Sequence, residues 1–570
     1  MPGQQVVGRL PVGGERRTGR GSDDDVAHFE FHVRQFHRIA SVRLLRPGVG
    51  SAPAGSCAAP PYFPAAPRFC KYLSGGHTKL SADHVRGGPH GLAEWRRADI
   101  GAARRTSAKY KDRPLMNLSQ TLVEAVAAIR RGFLTPLELV DSCLERIEQL
   151  EPAVSAWVTV EAEAAREQAE QMTRALDVGV EAGPLYGIPI GIKDIVDVVG
   201  MPTRAGSPLT SDQPASADAT VVTRLREAGA IILGKTVTTP FACFDPPPTR
   251  NPWNEACTPG GSSSGSAAAL AVGMCTAAIG TQTGGSITRP ASYCGVAGLK
   301  PTFGRVSRQG IVPVSFHLDH VGTMARSIAD CGVMLDVIAG PDPAGPACSN
   351  RPPLQWQPNT LPRIAPLRMG VLRPYFFDVA DAETVELVET AIDKLEAAGG
   401  RRVELPLPEG FDRVLAMHRR IMACEAADYH RRQFGAPRDG YPPLLSALIE
   451  EGLAVAVSDY QEALVHQLGF HHAVERSLAE VDVLVVPATP TAAPDRSTTG
   501  DPSFNAPWSY AGVPTAAIPC GLTAAGLPVS LQLIGRPWDE AHLLDAAYWC
   551  ERELAFDAVP PLLTQGAETG

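Results

Sequence analysis

Short apolar runs with strand-like alternation recur between helical stretches from residue 188 onward, and this alternation does most to narrow the folds open to the chain. Ile188-Pro-Ile-Gly-Ile192 alternates and runs straight into Lys193-Asp194. Thr220 to Glu227 then carries a helical pattern, and Ala230 to Leu233 reads as a buried strand. The same succession returns at 382–405 and 460–486, and Val529, Leu531 and Leu533 alternate ahead of a helical stretch at 539–552. Strands interleaved with helices make an α/β protein, here with a large mixed sheet covered by helices on both faces.

Upstream, local signals are equally explicit. Leu122, Val126 and Ile129 share one helical face, with Gly132 placed to end that helix. Thr135-Pro136-Leu137-Glu138 offers an N-cap, a proline at the first helical position and a capping-box glutamate, and a polar helix is expected around 160–176. Before residue 116 the pattern is lost: Arg, Gly, Pro and His recur without period, and basic residues outnumber acidic ones. Residues 1–115 therefore read as a disordered or non-native extension with Met116 as the natural start, and 116–560 as one domain.

Composition removes several classes of function. A net charge of −9 gives no clustered basic surface for a nucleic-acid partner. The 12 cysteines lack a CxxC pair, which supports neither a zinc site nor a disulfide framework; no cofactor or metal is implied. No apolar run reaches membrane-spanning length and no signal-peptide core is present, so a cytoplasmic location is the expectation.

Two motif matches fail on context. Gly229 to Thr236 spells the phosphate-loop pattern GxxxxGK[ST], but its four middle residues form the apolar strand itself instead of a loop that follows one. Gly261-Ser262-Ser263-Ser264-Gly265 spells the GxSxG nucleophile elbow, yet the preceding residues 251–259 carry two prolines and no strand character. A flexible linker fits no better, since the loop passes at once into the helical, buried-looking run Ala267-Ala-Ala-Leu-Ala-Val272.

A second Gly-Gly-Ser follows an apolar strand at Ala277 to Ser286, and with it the chain resembles the amidase signature family. The resemblance runs from about Met116 to residue 555 through "GIPIGIKD", "AGAIILGKT", "GGSSSGSAAALAVG", "GTQTGGSI", "GVAGLKPTFGRVSRQGIVP", "LDHVGTMARS" and "GVPTAAIPCG…GLPVSLQLIGRP". It implies Ser286 as nucleophile, Ser262 after a cis peptide bond as bridging serine, and Lys193 as base. A serine hydroxyl attacks only when its proton is removed, and lysine removes it only when neutral, a form that burial favours. The resemblance further implies an oxyanion hole from the backbone N–H groups of Thr283, Gly284, Gly285 and Ser286, with Ser263 and Thr281 supporting the triad. Family members often carry Asp where this chain has Gln282, and Arg one residue before Arg289. Those changes leave the triad untouched but bar borrowing any substrate contact near Arg289. His317 and His320 read as structural or rim residues.

The implied activity is hydrolysis of a small-molecule carboxamide through an acyl-enzyme, with ammonia or an amine leaving first. The alternative in the same family is the glutamine-hydrolysing subunit of a tRNA amidotransferase, although Ser315-Phe-His-Leu-Asp-His-Val-Gly322 departs from the "SSLDQ"-like sequence of those subunits. A non-catalytic binding protein on the same scaffold is the third reading. The acyl pocket is expected from the variable region 340–480. No nucleic acid or membrane contact is implied, and homodimers are common in the family.

Overall fold

A computed structural model describes residues 121–358, 366–435 and 440–564; the segment 1–115 and the boundary at Met116 lie outside the described residues. The chain opens with α1 (Leu122–Arg130) and α2 (Pro136–Val154), each begun by a capping box, Thr121 with Glu124 and Thr135 with Glu138. There follow β1 (Trp157–Val160), α3 (Ala162–Asp177), β2 (Pro189–Lys193), α4 (Thr220–Glu227) and β3 (Ile231–Thr236). The centre of the chain forms α5 (Ser264–Ala271), β4 (Ala277–Gln282), α6 (Thr288–Cys294), β5 (Ala297–Lys300), β6 (His320–Ala325) and α7 (Ile328–Ile338). The last part contributes β7 (Arg368–Val371), α8 (Phe376–Val379), α9 (Ala382–Ala397), β8 (Arg401–Glu404), α10 (Phe411–Phe434), α11 (Pro443–Ala454) and α12 (Val457–Ala479). It closes with β9 (Val483–Pro487), α13 (Ala506–Tyr510), β10 (Thr515–Leu522), β11 (Pro528–Ile534) and α14 (Glu540–Leu554).

Among the described residues all the strands join one 11-stranded sheet in the order β1-β3-β2-β4-β6-β5-β10-β11-β9-β7-β8. β2 runs parallel to both β3 and β4, and β7 parallel to β8 and β9, while the intervening pairs are antiparallel. The sheet is thus mixed, as the alternating sequence implied. Its two faces separate by the two-residue period of a strand. Ile232, Ala277 and Ile279 point into one apolar cluster with α4, α7 and α10. Ile231, Leu233 and Ala278 point into another with α2, α3 and α5. Central strands buried on both faces explain why the sequence reads there as near-continuous apolar runs.

The rejected phosphate loop behaves as its context required. Gly234 and Lys235 lie inside β3, and Lys235 forms a fully buried ion pair with Asp194 at 2.9 Å. Among the described residues no helix is long and apolar enough to cross a membrane.

Candidate active site

Parallel pairing brings the C-terminal ends of β2 and β4 side by side, since Ile192 is level with Ile279. Lys193 is the last residue of β2, and Thr281 and Gln282 end β4. Beyond these ends the two glycine-serine loops meet, where the carboxyl ends of a parallel sheet open a crevice. The first loop enters α5, every residue of which from Ser264 to Leu270 is buried. Gly265 makes that fit possible: a Cβ there would stand 2.1 Å from Ala156 O and 2.4 Å from Val237 N. The Gly261–Ser262 peptide is cis.

Lys193 Nζ lies 2.6 Å from Ser262 Oγ and 2.7 Å from Thr281 Oγ1. The side chain is completely buried, and desolvation lowers its pKa from 10.5 to about 7, against smaller upward pulls from the Asp319 carboxylate and Cys243. Burial disfavours the ammonium because it removes the water that solvates charge. Ser263 Oγ bonds both Thr281 N and Thr281 O at 3.3 Å, and Ser263 N donates to Ser286 O at 3.3 Å, so the loops are sewn together. The side-chain hydrogen bonds run from Lys193 to Ser262 and stop there. No hydrogen bond from Ser286 Oγ to Ser262 or Lys193 is formed, and Ser286 instead lines the pocket.

Four residues expected to bind an oxyanion, Thr283 to Ser286, sit between β4 and α6. The N–H groups that follow them are already taken, because Gln282 Oε1 accepts from Ile287 N at 2.8 Å and Thr288 N at 2.9 Å. Gln282 thus caps α6 with a neutral carbonyl, and its amide nitrogen donates to Ser509 Oγ at 3.1 Å. Ser509 Oγ in turn donates to Gly284 O at 2.8 Å. Thr283 is held twice. Its hydroxyl donates to Asp319 Oδ1 at 2.6 Å, and its carbonyl accepts from His418 Nε2 at 3.0 Å. Burial lowers the His418 pKa to about 4, which keeps the ring neutral.

The pocket above Ser286 encloses about 200 Å³. Phe244, Val314, Leu415 and Met422 form apolar walls, with Arg289, Arg419 and Asp501 as its charged members. Arg289 is 3% exposed. One of its nitrogens donates to Gly261 O at 2.8 Å, while Nε and Nη1 have no protein partner. Sequence reasoning missed His418, Asp319 and the pocket role of Arg289. Arg289 left a local trace in its displacement from the position family members use, and Asp319 lay inside the family-like stretch "LDHVGTMARS" without being singled out; His418 left none. His317 pairs with Glu425, and His320 is buried on β6 with Nδ1 donating to Leu318 O at 2.6 Å; neither lines the pocket. His471, His472 and Glu475 on α12 have ligand atoms within 4.8 Å of one another, the one such group among the described residues, and none of them lines the pocket either.

The amidase family model matches residues 138–544. The A subunit of glutamyl-tRNA(Gln) amidotransferase from Roseiflexus sp. (strain RS-1) is 38% identical over 464 residues, 74% of this chain and 94% of that protein. Its counterpart from Moorella thermoacetica is 35% identical, over 76% of this chain and 96% of its own length. Among solved structures, a chain from an inhibitor-bound vestigial protein complex, described as revealing the evolutionary origins of an s-triazine catabolic enzyme, superposes with a TM-score of 0.72 at 30% identity, covering 76% of this chain and 98% of its own. The peptide amidase of Stenotrophomonas maltophilia superposes with a TM-score of 0.69 at 30% identity, covering 78% and 99% respectively.

Proposed function

The chain belongs to the amidase family of enzymes acting on amide C–N bonds, and from that premise we propose that it cleaves a carboxamide through an acyl-enzyme on Ser286. One observation carries the reading: a fully buried lysine, its pKa lowered to about 7, sits 2.6 Å from the serine after the cis bond. In the proposed sequence Ser286 Oγ rotates to Ser262 and gives it a proton as it attacks the carbonyl. Ser262 passes its own proton to Lys193, and the carbonyl oxygen becomes an oxyanion met by the N–H groups of residues 283–286. Lys193 then returns the proton through Ser262 to the leaving nitrogen. Water repeats the attack on the ester, releasing the carboxylic acid and restoring Ser286. Ser263 and Thr281 hold the relay in register.

For the substrate, the relatives favour a glutamine-hydrolysing subunit over a free-standing amidase, since the two amidotransferase proteins match at 38% and 35% identity over nearly their whole length. The pocket supports an amide bearing charge. Burying Arg289 is costly unless something negative meets its unpartnered nitrogens, and a carboxylate on the acyl group would do so. Asp501 on the same pocket offers the opposite charge, and glutamine brings both an α-carboxylate and an α-ammonium. Opposing this is the departure at Ser315–Gly322, which favours a free-standing amidase.

Ammonia release from glutamine, asparagine, aliphatic amides and peptide amides tests both levels, with Ser286→Ala alongside. Turnover of glutamine that Ser286→Ala abolishes is the expected result. Equal turnover by the variant would sink the nucleophile assignment, and cleavage of uncharged amides alone would restore the free-standing amidase.

A further inference from the structure

The antiparallel register of β4 and β6 sets Gln282 opposite His320, so the residues one step beyond, Thr283 and Asp319, face each other across the end of the ladder. Asp319 Oδ1 accepts from Thr283 Oγ1 at 2.6 Å. Its Oδ2 accepts from the backbone N–H groups of Val314 at 2.8 Å and Ser315 at 3.0 Å. Both oxygens are acceptors and every neighbour is a donor, the pattern of an ionised carboxylate. We propose that Asp319 is a positioning residue with two duties: it fixes Thr283 in the oxyanion loop, and it supplies the counter-charge for the ammonium that Lys193 becomes. The proposal rests on the Lys193–Ser262–Ser286 reading above.

During attack the proton leaving Ser286 ends on Lys193 by way of Ser262, so a positive charge appears on a completely buried side chain. A carboxylate already in place stabilises that charge as it forms and needs no reorganisation. The charged and titratable groups around the pair come from several elements. Thr281 and Thr283 stand two residues apart where β4 ends, and Lys193 Nζ donates to the first at 2.7 Å while the second donates to Asp319 at 2.6 Å, so amine and carboxylate meet the same strand end; Lys193, on β2, also feels Cys243. Burial pushes the Asp319 carboxyl above its usual range, against the pull of the Arg308 guanidinium, which donates to Phe316 O at 2.7 Å and also feels Glu425 on α10 and Cys348. Glu425 is occupied by Ser315, His317 and Tyr460, the last at 2.7 Å. Asp194, next to Lys193, is paired with Lys235 on β3. His418 on α10 is the second clamp on Thr283. Asp319 is therefore the carboxylate that acts on Lys193, with Arg308 as a second cation beside it.

An alkyl fluorophosphonate tests this without knowledge of the substrate. Ser286 Oγ forms a bond to phosphorus, fluoride leaves, and the serine proton passes to Lys193, so labelling rate against pH reports the base. In full-length protein Asp319→Asn is expected to move the midpoint of that profile down by roughly half a unit or more, because an opposite charge favours the protonated lysine. Its plateau rate should fall about tenfold through the loss of preorganised charge. Asp319→Glu should keep the midpoint while lowering the plateau, and Thr283→Val should lower the plateau with the midpoint unmoved. Should Asp319→Asn not fold, as judged by circular dichroism, Asp319→Ser, which keeps a hydrogen-bonding group for Thr283 but no charge, serves instead and should move the midpoint down in the same way. An unmoved midpoint in the Asn variant, or in Asp319→Ser where that is the one used, overturns the proposal. If Lys193→Ala labels as fast as wild type, the base assignment itself fails, a result distinct from failure of Asp319.

Discussion

Lys193 Nζ and Thr281 Oγ1 stand 2.7 Å apart although 88 positions separate them, because β2 and β4 are parallel neighbours in register. That contact anchors the Lys193 amine against the sheet and leaves its other side to Ser262. Rigid strand ends, more than the loops, therefore set where the amine sits.

Ser286→Ala and Ser262→Ala separate attack from relay. Removing the attacking hydroxyl should cost at least about 10³-fold in kcat, as loss of a nucleophile does elsewhere. Removing the bridging hydroxyl should cost about 10²- to 10⁴-fold, the usual scale of positioned proton transfer. Steady-state ammonia release on a cleaved amide measures both, and wild-type kcat in Ser262→Ala would remove that serine from the mechanism.

The acid limb of kcat/KM should have its midpoint near the Lys193 pKa of about 7. Only the neutral amine accepts a proton, so activity rises as pH increases through that value and falls below it. His418, lowered to about 4, adds no inflection in this range. A profile flat from about pH 5 to 9 would be incompatible with a lysine base.

Lys193→Met should abolish activity and raise stability at neutral pH. The native pKa lies below that of the unfolded chain, so between about 7 and 10.5 the unfolded state binds more protons and stability grows with pH. Below about 7 the burial penalty is present in full. The variant's gain over wild type should therefore shrink as pH rises toward 10, which thermal melts across that window would reveal. A variant less stable than wild type at every pH contradicts this.

Gly265→Ala should destabilise by about 3 kcal/mol or more, since the added carbon meets backbone atoms of β1's approach and β3's exit that cannot turn aside. Gly469→Ala, where a Cβ meets nothing within 4 Å on α12, is the matched control and should be neutral or stabilising. Urea unfolding of the pair checks the difference.

Much of the scaffold was legible locally. The cap at Thr135, the strand through Ile188–Ile192, the strand that disqualified a phosphate loop at Lys235 and the buried helix after Ser263 all follow from short-range pattern. The helix α10 was not anticipated, because its buried face carries His418 and His430 among the apolar residues and blurs the period. It supplies Leu415, His418, Arg419 and Met422 to the pocket.

By itself the sequence determined where the strands, the capped helices and the two glycine-serine loops fall, since hydrophobic period, caps and glycine-serine spacing act over a few residues. Tertiary structure alone decided that Thr283 is gripped from both sides. Asp319 reaches it across 36 positions and His418 across 135, and no local pattern encodes a partner so distant. The same holds for the electrostatics. Lysine's ordinary pKa belongs to its side chain, but the shift to about 7 belongs to the enclosure, which exists only once β2, β4 and the two loops have closed around it.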